Sequence, residues 1–80
     1  MEETILRYVL VNFGSERSSW YIDESDSAEV RDFVLVPYGI EEKTGAVVNV
    51  VRCIPPYTPY PQEKTKYIFE ITKRRGTPKT

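Results

Sequence analysis

Lys64, Lys66, Lys73, Arg74 and Arg75 crowd the last quarter of this chain, and Tyr21, Tyr38 and Tyr60 are the aromatic side chains that could join them. Ammonium and guanidinium groups hold phosphates while an aromatic face stacks a base, so this set points to a polyanion such as nucleic acid. The opposite charge gathers in Asp23, Glu24, Asp26 and Glu29. Those carboxylates lack the alternating spacing, central glycine and terminal glutamate of a calcium loop, and a solvated loop is expected there. The sequence has no histidine, which removes the commonest general base and the commonest zinc ligand. Cys53, the only cysteine, follows an apolar run with no histidine to activate it, and is expected to be structural. Gly14, Gly39, Gly45 and Gly76 stand apart, so no phosphate-cradling loop is present. These features predict a chain that is not an enzyme and that carries no cofactor and no metal.

Charge is divided along the chain. Residues 1–40 hold eight acids and three bases, and residues 41–80 hold four acids and eight bases, although the net charge is only -1. Such asymmetry can build a local basic surface on a weakly acidic protein, or can be ordinary solvated surface. At 80 residues, with 40% hydrophobic and 29% charged side chains, the composition suits one small globular core. No apolar run approaches the roughly 20 residues that span a bilayer. The acidic start Met1-Glu2-Glu3 is unlike a secretory signal, and a single cysteine suits a reducing compartment, so a cytoplasmic protein is expected.

The elements that must position these side chains are predicted to be strands. Residues 4–13 are rich in Ile, Leu, Val and Tyr and predict a long strand covered on both faces. A turn follows, then a short strand at Trp20-Tyr21-Ile22 and a polar loop or single helical turn over residues 23–29. Phe33-Val34-Leu35-Val36 predicts a third strand that stops at Pro37, with Gly39 easing the bend. After polar residues 41–44, residues 45–51 predict its antiparallel partner. Residues 54–61 hold four of the six prolines and predict an extended strap packing its tyrosines over the sheet end. Pro56-Tyr57-Thr58-Pro59 also fits the minimal pattern of a proline-rich ligand. Residues 66–72 predict a last strand with Tyr67, Phe69 and Ile71 on one face. The expected fold is mainly β: a single small domain over residues 1–73, with a proline-rich connection at 54–62 and a flexible basic tail at 74–80. About five strands form a strongly curved antiparallel sheet or open barrel.

Trp20-Tyr21-Ile22, Val36-Pro37-Tyr38-Gly39, Gly45-Ala46-Val47-Val48-Asn49-Val50 and the later Lys66 fall in an order that resembles the N-terminal DNA-binding domain of the primosomal replication-restart helicase PriA. That family shows a V-x-V-P-F-G turn, a G-I-V-x-x-V strand and a lysine before a hydrophobic strand. The resemblance implies a small β-barrel-like, wedge-like module that captures a 3′ DNA end, here without the helicase motor. Gly39 matches the turn glycine near the terminal nucleotide. Lys66, or Lys64 with a slip, matches the lysine, and Tyr21 matches an aromatic of the F-D-Y motif. Trp20 occupies the place of that motif's aspartate.

The reading that follows is a stand-alone module binding single-stranded or forked DNA weakly through Tyr21, Tyr38, Gly39, Lys64, Lys66, Lys73, Arg74 and Arg75. Its alternative is a protein-interaction or structural module that kept the fold and lost the DNA-end pocket. Convergence of Lys64, Lys66 and Arg52 beside Gly39 and Tyr21 favours the first, and dispersal favours the second.

Overall fold

In the computed structural model, which describes residues 4–14 and 17–73, the apolar runs become strands β1 (Leu6–Asn12), β2 (Ser18–Ile22), β3 (Phe33–Tyr38), β4 (Glu41–Cys53) and β5 (Glu70–Thr72). A 3-10 turn at Gln62–Lys64 precedes β5. The strands form one antiparallel sheet in the order β2-β1-β4-β3-β5. This is the mainly β, five-stranded fold that the sequence predicts, with a curved open sheet and no closed ladder. Residues 74–80, the expected basic tail, lie outside the described residues.

One face of the curved sheet closes over Val9, Val11, Tyr21, Val34, Val36 and Val47, joined by Ala28 from the loop after β2. Burying each such valine contributes roughly 1.5–3 kcal/mol, and β-branched residues suit the pleat. The register of β1 on β4 slips between Leu10 and Val11, a bulge that sharpens the local twist. Tyr8 points to the other face and is also fully buried. Its ring meets Trp20 edge-on with centroids 6.3 Å apart, and its hydroxyl donates to the Tyr60 carbonyl at 3.1 Å. The proline-rich strap thus covers the sheet, as expected, but does so with backbone. Tyr57 is 82% exposed, and the strap folds into turns closed by Tyr57 N–H to Ile54 O and Thr58 N–H to Pro56 O. A continuous polyproline helix, which has no internal hydrogen bonds, does not form.

Pro37 does not end β3, contrary to the sequence expectation. Val47 N–H bonds to Asp32 O, and the ladder alternates from there, so Val34, Val36 and Tyr38 face β4 while Leu35 and Pro37 face outward. β5 reaches only Phe33, Val34 and Leu35, so among the described residues no strand lies beside Pro37 to miss its N–H. Residues 41–44, expected as a connection, are paired strand, and the turn shrinks to Gly39-Ile40 between the paired Tyr38 and Glu41. Gly39, at φ 62°, sits at the first central position, where a two-residue hairpin turn of this kind favours glycine.

The last segment also departs from the expected pattern. Only residues 70–72 join the sheet, and Ile68 and Ile71 pack on the core while Tyr67 and Phe69 are about half exposed. Ile22 N–H bonds to Lys66 O and Ile68 N–H bonds to Ile22 O, a parallel bridge to β2. Phe69 N–H then bonds to Leu35 O although Leu35 is opposite Glu70. That one-residue slip puts Ile68 and Ile71 inward together, which strict alternation could not do. The two ends of the open sheet are thereby pinned at one point along their seam.

Candidate nucleic-acid interface

On the turn side of that pin the seam gapes into a cleft of about 270 Å³. β2 supplies one wall through Ser18, Ser19, Trp20 and Tyr21, and Pro37, Tyr38 and Gly39 at the end of the β3 hairpin supply the other. Tyr60, Lys64 and Lys66 complete the lining, so the strap, the 3-10 turn and the segment just after it bring a tyrosine and two lysines to the cleft. Both lysines are exposed, neither is paired with a carboxylate among the described residues, and no acid lines the cleft.

The β2 wall presents backbone as well as side chains. Asp23 N–H to Arg7 O at 2.8 Å and Phe13 N–H to Arg17 O at 3.4 Å mark the residues of β2 that bond to β1. Between them the alternation turns the N–H and C=O of Ser18 and Trp20 away from β1, the direction in which Ile22 bonds to residues 66–68. A ligand in the cleft therefore meets an unpaired donor and acceptor at Trp20, two lysines and an aromatic surround.

Tyr21 is a structural wall of this cleft. It is 5% exposed, its hydroxyl donates to the Pro37 carbonyl at 2.9 Å, and burial, aided by nearby Tyr38, raises its phenol above the ordinary value. This bond ties the two walls together and leaves little of the ring open for stacking. Tyr38 is half-buried, with Phe13 edge-on at 4.9 Å and Lys43 Nζ 4.4 Å from its ring centroid. Gly39 lies at the rim. The structure thus joins Tyr21, Tyr38, Gly39, Lys64 and Lys66, five of the residues singled out in the sequence.

Lys73 lies elsewhere, its Nζ held at 2.7 Å by Asp32 Oδ2 and at 2.7 Å by the Ser27 carbonyl. Arg52 pairs with Asp26 at 3.4 Å and does not enter the cleft. Arg74 and Arg75 lie outside the described residues. Ser18 and Ser19 were hidden in what reads as a turn, because nothing local says that the turn ends one residue before them.

The remaining reactive types do not converge here. Cys53 is half-buried and burial raises its thiol, which disfavours the thiolate. Among the described residues no group of three His, Cys, Asp or Glu side chains could hold a metal ion, and no helix is long and apolar enough to cross a membrane. The arrangement can bind and orient an anion and an unpaired planar group. Comparisons with protein-family models, curated proteins and solved structures return no match, so the case for the cleft rests on the chain's own geometry.

Proposed function

We propose that the protein is a nucleic-acid-binding β module that takes a single-stranded segment into the cleft between β2 and the β3–β4 hairpin. The supporting observation is the meeting of Lys64 and Lys66 with Trp20, Tyr38 and Gly39 in a cleft that no carboxylate lines. Lysines in the lining suit phosphates, and the outward N–H and C=O of Trp20 suit the hydrogen-bonding edge of a base that has no pairing partner. In a duplex the Watson–Crick edges of the bases are already paired and are not open to Trp20. The resemblance to the N-terminal domain of PriA points the same way, with single-stranded or forked DNA as the ligand and Trp20 replacing the family's acid. A cytoplasmic setting belongs to this reading and agrees with the lone, partly buried Cys53.

The test is fluorescence anisotropy on labelled single-stranded, duplex and forked DNA. Micromolar protein at low salt is expected to bind the single-stranded and forked forms and not the blunt duplex. A Lys64→Ala/Lys66→Ala variant should bind about tenfold more weakly, with a log–log salt slope shallower by about 1.4 if each lysine neutralises one phosphate. No anisotropy change with any DNA, or an unchanged slope in the double variant, would overturn the proposal.

A further inference from the structure

A second opening lies on the other side of the seam pin, and its chemistry is the reverse of the first. It measures about 450 Å³ and runs between the start of the loop after β2 and residues 68–71. The two openings share no lining residue. Among the described residues that line them, the cleft has lysines and no acid, whereas this groove has Asp23, Glu24 and Glu70 and no base.

The three carboxylates are not equivalent. Asp23 is buried and already spoken for, accepting from the N–H groups of Ser25, Ser27 and Ala28 and from the Ser25 hydroxyl, with the Arg7 guanidinium 3.8 Å from its Oδ2. Glu24 and Glu70 are exposed, and neither has an ion-pair or hydrogen-bond partner among the described residues. Phe69 lines the same groove and leaves 54% of its surface in water, so an apolar ring and unpaired negative charge share one opening.

The backbone of β5 adds a third element. Phe33 and Leu35 face β5, so their partners Thr72 and Glu70 use their ladder bonds inward, and Ile71 between them turns its N–H and C=O outward. No described strand lies on that side. An outward edge, an exposed aromatic and two free carboxylates are the parts by which a sheet accepts an added strand whose side chains alternate between basic and apolar.

We infer that the groove beside β5 docks an extended cationic peptide segment of a partner protein, paired to Ile71 and held by Glu24 and Glu70 with Phe69 beneath its apolar side chain. Phosphate-bearing ligands are disfavoured by the same carboxylates. A span of three to four residues, about 10–13 Å at strand rise, is the length that this short edge supports. The inference does not depend on what the cleft binds.

The probe is a capped Lys-Val-Lys-Val-Lys peptide titrated into the isotope-labelled protein, followed by amide chemical shifts, with the Glu-Val-Glu-Val-Glu peptide as control. Shifts confined to residues 23–25 and 68–72, and slowed exchange of the Ile71 amide, are expected. Glu24→Gln/Glu70→Gln should weaken binding at least fivefold, and Phe69→Ser should weaken it as well. These side chains are exposed, so the variants should keep the native spectrum elsewhere. No shift at millimolar peptide, equal shifts with the acidic control, shifts centred on Lys64 and Lys66, or undiminished binding by the double variant would each overturn it.

Discussion

Gly45 shows how much a single hydrogen atom can decide. A Cβ at this position would stand 2.5 Å from Val11 Cγ1 and 2.8 Å from the Asn12 carbonyl, directly beyond the β1 bulge. Backbone cannot yield as a flexible side-chain end can, so overpacking is the expected result. Gly45→Ala should lose about 1–3 kcal/mol, seen as a lower urea midpoint with an unchanged m-value. Gly39→Ala meets no atom within 4 Å and carries only the cost of its positive φ, so it should lose about 1 kcal/mol. At this scale the candidate site was partly legible. Tyr38, Gly39, Lys64 and Lys66 follow from residue type and from their places at a turn and before a strand. Lys73 has the same type and goes to Asp32 instead, because only the fold brings that buried carboxylate and the Ser27 carbonyl into its reach. Tyr21 was legible as part of the site, but its burial was not, since it depends on Pro37 turning a carbonyl toward it.

The β3–β4 hairpin carries the lesson for elements. Ala46 is the first β4 residue that pairs with β1 on the turn side, and Leu35 is the last β3 residue that pairs with β5. The rows Val36–Lys43, Pro37–Glu42 and Tyr38–Glu41 therefore project beyond both neighbours, about 10 Å at strand rise. Pro37 sits on the outward side of this overhang, where a free N–H would invite another edge to pair. Pro37→Val should change stability by no more than about 0.5 kcal/mol while making sedimentation concentration-dependent; monomeric behaviour to high concentration would contradict that role. The existence and antiparallel pairing of these strands were readable from the β-branched runs on either side of Gly39. Their lengths were not. Proline and a polar stretch are evidence against a strand only when the neighbouring strand is known, and neighbours are a property of the sheet. The same limit explains residues 66–72, where period-two alternation is correct for an isolated strand and fails at the slip opposite Leu35.

For the molecule as a whole, the buried carboxylate of Asp23 couples stability to pH. Burial by itself would raise its pKa, but the hydrogen bonds from Ser25, Ala28 and Ser27 outweigh it, and the folded value lies below the ordinary one of 3.8. Such a group contributes stability that is fully present above the unfolded value and is lost as pH falls through the folded one. The melting temperature should therefore drop as pH falls below about 4, and Asp23→Asn should lose about 1–3 kcal/mol at pH 7 while flattening that acid limb. Circular dichroism melts from pH 7 to pH 2 measure both. The fold class was legible because length, composition and short β-branched runs leave few alternatives to one curved sheet. The seam was not, because it joins Ile22 to residues more than forty positions away by backbone bonds that no side chain announces. That pin has a consequence for stoichiometry. With the lysine cleft and the acidic groove on opposite sides of it and no lining residue in common, a polyanion and a cationic chain need not compete for the protein. If both proposals hold, either ligand can arrive first, and the ternary complex would bring two oppositely charged polymers together on one small domain.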